Sequence, residues 1–318
     1  MSFPNFDSQG DVVTFDHKVV NNTFSGINKF LSKLPSDAVL VAEHTGVYGD
    51  MLLKMCSDRN IRTAFVGGYV IHTYKSAPDR RKTDETDCSL LREFGERFYD
   101  KLKFTVFPDE SIYELQQLNS QRARFVEERK RFVTASKSEE YRPYSSKRIH
   151  ESNERMISFL DSEIDRIDND ILDLINSNEE IKRNYEIITS VKGIGMVTAA
   201  DIIVNTRNFT KITTAKEYSS YAGTAPFEKS SGTMNRGSHI SSIGCRRAKC
   251  LLYMCAESAR RFNKEIKLYY ERRTIIDKKH HFYVLNAIVN KMLRTVFALI
   301  GKGEKFDESY IHKDPRNN

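Results

Sequence analysis

Residues 38–49 read AVLVAEHTGVYG. The apolar run 38–42 is too short for a helix and lacks polar alternation, which fits a strand buried on both faces. Glu43 follows directly, and Gly46 and Gly49 suit a tight turn into a helix over 49–60, where Met51, Leu52 and Met55 recur at helical spacing. A carboxylate just past the C-terminal end of a parallel strand stands where α/β sheets bind ligands. Taken alone, the position is better explained by a solvated acid or a helix cap. Upstream, 11–20 is a strand candidate and 23–34 a helix closed by Pro35. Downstream, 62–66 is another strand and 84–98 another helix. Strands alternating with helices imply an α/β layer with at least partly parallel strands.

The last of those helices opens in RRKTDETDCSLL, residues 80–91. Asp84 and Asp87 are three apart, so they share one helical face about one turn apart. Hard oxygen donors so placed suit Mg²⁺ or Mn²⁺. Acidic residues also favour a helix's first turn because of its dipole, and the sequence leaves both readings open. The preceding Arg80, Arg81 and Lys82 favour a phosphate-bearing substrate.

From about Ser111 the pattern changes. Ile112, Leu115 and Leu118 begin a charged helix expected to run through Arg131, and YRPYSS (141–146) breaks it. A second long helix carries Ile157, Leu160, Ile164, Ile167, Ile171, Leu174 and Ile181 on a 3-4 repeat interrupted by Asn178. This pattern predicts an antiparallel helical hairpin or a coiled coil, including one between subunits. A mainly helical region follows from about Ile187 and ends in an apolar-periodic helix over 284–300. The polar tail 301–318, with Pro315, is expected to be mobile. The domain expectation is therefore 1–110 α/β, 111–186 helical or coiled coil, 187–300 a C-terminal domain with a serine loop, and 301–318 a tail.

Two further motifs lie in the C-terminal region. In VKGIGMVTAADII (191–203), Gly193 and Gly195 open a helix whose backbone N–H groups could receive a phosphate, or form a plain helix–helix turn. In YAGTAPFEKSSGTMNRGSHISSIGCRRAKCLLYMC (221–255), Ser230-Ser231-Gly232 lies in a small, polar stretch leading to Arg246, Arg247 and Lys249. A serine there needs a base, metal or oriented phosphate to become a nucleophile, and turn residues of this kind are common. No G-x-S-x-G elbow is present, so acyl transfer has no support.

Composition bounds the rest. The net charge of +7 favours a polyanionic partner. Five cysteines without a C-x-x-C pair argue against a zinc site or disulfide framework and fit buried apolar positions. Interrupted apolar runs predict no membrane span, and the N-terminus has no signal-peptide pattern, so the expected location is cytoplasmic.

The order and spacing of AEHTGVYG (42–49), RRKTDETDCSLL (80–91), SVKGIGMVTAADI (190–202) and the serine block (221–253) resemble the IS110 insertion-sequence transposases, relatives of the Piv DNA invertase and RNA-bridged recombinases. The resemblance spans about residues 10–300. It implies an N-terminal domain similar to RuvC, an RNase H-like sheet with a D-E-D-D metal site, then a coiled coil and a mainly helical transposase domain. The fold class is thus α/β plus α. Glu43, Asp84 and Asp87 match the family's metal-binding carboxylates, and Ser231 its nucleophile, with Ser230 the runner-up. Arg236, Arg246, Arg247 and Lys249, with Arg80, Arg81, Lys82, Gly193 and Gly195, are the expected nucleic-acid contacts. The expected partners are DNA, a structured noncoding guide RNA and further copies, as a homodimer or homotetramer near the bacterial nucleoid.

One departure stands out. The family's first aspartate lies on an opening strand in a pattern like G-I-D-V-S-K, and Asp7, Asp11 and Asp16 do not sit in such a pattern. The expectation is a start upstream of Met1 or a decayed copy, with an incomplete sheet. Three functions follow: a metal- and serine-dependent recombinase, a truncated inactive nucleic-acid binder, or a metal-only junction nuclease.

Overall fold

A computed structural model describes residues 2–6, 12–74, 83–231, 234–240 and 243–307. The chain divides at Pro108/Asp109 into two compact units, each with its own core.

The first unit is the α/β part. A hairpin of β1 (Ser2–Phe6) and β2 (Val12–His17) comes first, paired antiparallel with a register shift between Asn5 and Phe6. The sequence anticipated one strand over 11–20 and not its partner. Then come α1 (Phe24–Leu31), β3 (Val39–Glu43), α2 (Asp50–Asp58), β4 (Arg62–Val66), α3 (Gly68–Tyr74) and α4 (Asp84–Arg97). Thr23 caps α1 by accepting from the Gly26 N–H, which satisfies one free donor of the first turn. Strands β3 and β4 pair in parallel, Val39 opposite Arg62 through Glu43 opposite Val66, as the alternation of strand and helix required. Ile27, Phe30, Leu31, Met55 and Cys56 pack α1 against α2.

The sheet departs from the expected doubly buried layer. The β1–β2 hairpin and the β3–β4 pair are separate two-stranded ladders among the described residues. Val39 to Ala42 are only half-buried and Glu43 is exposed. A strand with a neighbour on one edge keeps unpaired backbone groups on the other, so the apolar run 38–42 is less enclosed than its composition suggested.

The second unit is helical. Helices α5 (Glu110–Glu139) and α6 (Lys147–Ser177) form an antiparallel hairpin within the chain. Arg122, Arg129 and Ser136 meet Asp168, Asp161 and Glu154, so each seven-residue advance on α5 is matched by seven backward on α6. Helix α5 runs past Arg131 to Glu139, further than its apolar spacing showed. Leu160, Ile164, Ile167, Ile171 and Ile175 form the buried stripe of α6. Asn178 ends that stripe and caps α7 (Glu179–Ser190), accepting from the N–H groups of Glu180 and Ile181.

Next come α8 (Met196–Thr206), α9 (Ala215–Ala222), the hairpin β5 (Pro226–Ser231) and β6 (Met234–Ile240), α10 (Arg246–Phe262), α11 (Lys264–Glu271) and α12 (His281–Lys302). The core joins Ile181, Ile188, Ile202, Tyr218, Leu252 and Leu293, each contributing about 1.5–3 kcal/mol by leaving water. Helix α12 is, by length and composition alone, apolar enough to cross a membrane, against the sequence expectation. Its apolar face (Val284, Leu285, Ile288, Val289, Leu293) is buried in this core, which accounts for that composition without a bilayer. The tail is docked at its start: the Phe306 N–H donates to Ser190 Oγ at 2.8 Å, and Lys305 pairs with Glu186. Residues 308–318 lie outside the described residues.

Candidate functional site

Two groups of sequence-predicted residues lie in separate units, the carboxylates in the first and the serines in the second. In the first unit, Glu43 ends β3, and its carboxylate lies over Gly68 at the start of α3. A Cβ at Gly68 would come within 2.6 Å of Glu43 Oε1, so a larger residue there would turn that exposed carboxylate aside. Asp84 and Asp87 stand in the first turn of α4, where Thr83 and Thr86 form a reciprocal cap. Asp84 is exposed and Asp87 half-buried. Gly95 lets α4 press on β3, since a Cβ there would meet Val41 Cγ2 at 2.8 Å.

The donor chemistry of Glu43, Asp84 and Asp87 suits a hard divalent cation. Their placement does not yet make a site, because no three His, Cys, Asp or Glu residues among the described ones stand close enough to hold a metal ion. Arg80, Arg81 and Lys82 fall outside the described residues.

In the second unit the serine stretch is a β-hairpin rather than the loop its small, polar residues suggested. Ser230 pairs with Asn235 and Ser231 with Met234, and the register shifts between Glu228 and Ser230. A bulge of this kind re-aims the residues beside it and recurs next to active sites. The side chains of residues 228–239, Ser230, Ser231 and Arg236 among them, are outside the described set.

The base of the hairpin is fixed by groups that sequence reasoning missed. Gly223 and Gly244 meet backbone to backbone, and a Cβ on Gly244 would come within 2.7 Å of Gly223 Cα. The Cys245 N–H donates to the Tyr221 carbonyl at 2.8 Å. The buried Thr224 carbonyl accepts from Asn286 Nδ2 at 3.0 Å and Asn290 Nδ2 at 3.1 Å, both on α12. Two asparagines four apart in the apolar VLNAIVNKM were the available signal, because buried amides need partners. Behind the base runs a polar chain. Tyr221 Oη donates to Asn205, Asn205 Nδ2 to Asp201 at 2.7 Å, and Arg247 pairs with Asp201 at 3.2 Å. Burial pushes the Asp201 carboxyl up, and Arg247 and Asn205 pull it back. Burial pushes the Tyr218 and Tyr221 phenols up as well, so both stay protonated.

These contacts revise two expectations. Arg247, predicted to clamp phosphate, is committed inside the fold to Asp201 and to the Asn119 carbonyl at 3.0 Å. Gly193 is a packing residue: at φ +103 it lets α10 approach so closely that a Cβ would sit 2.8 Å from the backbone N of Ala259. Gly195 does remain exposed as the N-cap of α8, with nothing within 4 Å of its Cβ position. Arg246 is exposed and Lys249 half-buried on α10. Of the cysteines, Cys56 and Cys255 are buried, with thiols raised by burial, and Cys250 is exposed.

Two family profiles match the chain. One, labelled for the DEDD transposases of IS110 and described as a transposase, covers residues 5–138. The other, described as the IS116/IS110/IS902 transposase family, covers residues 185–271 and so contains the serine hairpin. The chain belongs to the IS110 family of transposases. This transposase is 25% identical over 285 residues to the pilin gene-inverting proteins of Moraxella bovis and Moraxella lacunata, covering 86% of this chain and 83% of each relative. It is also 31% identical over 133 residues to the insertion element IS110 uncharacterized 43.6 kDa protein of Streptomyces coelicolor, covering 42% of this chain and 33% of that protein. It is thus a DNA recombination enzyme whose two matched regions fall one in each unit, except that the first continues into α5.

Proposed function

We propose that this transposase cuts and rejoins DNA through a serine ester of the DNA end, with Ser231 as nucleophile and Ser230 as its alternative. The serine oxygen would attack the phosphorus of a backbone phosphate while the bond to the departing sugar oxygen breaks. The serine proton passes to a base and the departing oxygen takes one up. Attack by another strand's hydroxyl reverses the step and frees the serine, so bond energy is conserved without a nucleotide cofactor. The observation that carries this reading is the bulged hairpin within residues 185–271, which ends in two serines and is tied at its base to α9, α10 and α12. A nucleophile gains from such anchoring because misplacement by about 1 Å costs on the order of a hundredfold in rate.

The proposal extends to a divalent cation, Mg²⁺ or Mn²⁺, held by Glu43, Asp84 and Asp87 of a RuvC-like domain. Among the described residues those carboxylates do not gather with a third donor. An acidic residue on a further strand pairing with the free edge of β3 would add a ligand beside Glu43. It also extends to a guide RNA, to phosphate contacts by Arg246, Lys249 and Arg236, and to subunits joined through α5 and α6. The relatives' names as pilin gene-inverting proteins make inversion one candidate outcome beside insertion and excision.

The separated carboxylates favour one second reading, a nucleic-acid binder without strand transfer. The test is recombination in cells carrying donor DNA, target DNA and the element's flanking RNA. The first reading expects joined product that disappears in Ser231→Ala and in Asp87→Asn. Undiminished product in Ser231→Ala refutes the nucleophile, and firm nucleic-acid binding without product favours the second reading.

A further inference from the structure

One face of α10, α11 and the start of α12 carries none of the residues assigned to the serine chemistry. Between α10 and α12 lies a groove of about 400 Å³, lined among others by Tyr253, Met254, Glu257, Arg261, Phe262 and Phe282. Its large apolar groups are turned outward: Phe262 is 72% exposed, Met254 67% and Phe282 60%. Three rings meet at its α12 end, with Phe282 5.9 Å from His280 in a stacked pose and 6.4 Å from Tyr253.

The surroundings are cationic. Residues 260–283 hold eight Lys or Arg against three Asp or Glu. Arg261, Lys278 and Lys279 form no ion pair among the described residues. The carboxylate lining the groove, Glu257, is held by Arg260 at 2.8 Å and faced by His281 Nε2 at 3.1 Å, so it does not confront an incoming anion alone. Flat exposed rings with Arg261 in the lining, and Lys278 and Lys279 in the segment that leads to its His281, suit a polymer that carries planar apolar groups and a phosphate on every unit. An apolar protein surface would cover the rings but leave these cations unmatched.

We propose that this groove is a subsite for single-stranded nucleic acid, with bases stacking on Phe262 and Phe282 and phosphates meeting Arg261, Lys278 and Lys279. The inference rests on the reading of the chain as a nucleic-acid enzyme and adds a strand-gripping surface whose Tyr253 donates to Asn286, the residue that holds the base of the serine hairpin. Unpaired DNA and RNA share the required chemistry, and the assay separates them.

The test is fluorescence anisotropy on the full chain with a labelled oligothymidylate, an oligouridylate and a DNA duplex. Phe262→Ala and Phe282→Ala should each weaken single-strand binding about tenfold and leave duplex binding unchanged. Phe262→Tyr should restore it, because the ring is kept. Arg261→Gln should lower the slope of log affinity against log salt by about 0.7 for a single strand. The stronger of the two single-strand probes identifies the natural source. Wild-type binding of single strands that neither alanine variant weakens overturns the inference and leaves the transposase reading intact. A drop in subunit number on sedimentation of Phe262→Ala also overturns it, in favour of a second copy on the groove. Failure of the wild type to bind any of the three probes takes down both readings.

Discussion

Replacing Gly193 by alanine separates two uses of the turn that opens α8. If the turn exists to receive phosphate, alanine at Gly193 or at Gly195 acts mainly on binding. If Gly193 exists to let α8 and α10 close, alanine there acts on stability. Its φ of +103 lies where an L-residue is strained, at about 1–3 kcal/mol. The new Cβ would also stand 2.8 Å from Ala259 Cβ and N and 2.9 Å from the Cys255 carbonyl oxygen, all on the buried face of α10. Overpacking of that kind costs about 1–3 kcal/mol. The sum, about 2–6 kcal/mol, corresponds to a Tm lower by roughly 5–20 °C for a unit of this size. Gly195→Ala adds a Cβ into open space at a relaxed φ of −98 and should cost under about 1 kcal/mol. The assay is thermal melting of both variants followed by circular dichroism. A Gly193→Ala protein that melts with the wild type refutes the packing argument.

Other outcomes follow from the hairpin base and the helices. Asn286→Ala removes a donor from the buried Thr224 carbonyl and should cost about 1–3 kcal/mol, with faster amide exchange concentrated in 224–240; uniform exchange change contradicts the tether. The Asp201 carboxyl is raised by burial, so the folded protein keeps its proton at a pH where the unfolded chain has lost it. Stability from this group is therefore greatest at low pH and falls as pH rises from about 4, the ordinary aspartate value, through the raised one. Asp201→Asn should flatten that slope in urea melts, and an unchanged slope would deny the assignment. In double-mutant cycles, Arg122–Asp168, with side chains 19% and 24% exposed, should couple by about 1 kcal/mol. The more open Arg129–Asp161 should couple by a few tenths.

Elements with strong local patterns were legible in the sequence. Arg62–Val66 is a strand at the bounds its apolar run gave, and Asn178 divides α6 from α7 where the 3-4 repeat broke. The serine hairpin was hidden because PFEKSS and MNRGSHI have no apolar alternation to mark a half-buried strand. Its anchors were hidden for another reason: Asn286, Asn290 and Tyr221 act through partners far away in sequence, which no local spacing reveals. Gly193 was read as a phosphate contact or a plain helix–helix turn and Arg247 as a phosphate contact; their packing against α10 and Asp201 depends on partners distant in sequence. Glu43, Asp84 and Asp87 were picked out through family motifs, and their placement on β3 and α4 depends on packing that no local spacing reveals.

The most direct test of the central claim is to trap the protein on a nicked DNA substrate, digest the covalent product and map the linkage by mass spectrometry. The expected product is a phosphoserine-linked DNA end within residues 226–240, at Ser231, lost in Ser231→Ala while DNA binding persists. A linkage at another residue, or an adduct that survives in the Ser231→Ala, Ser230→Ala double variant, would contradict it.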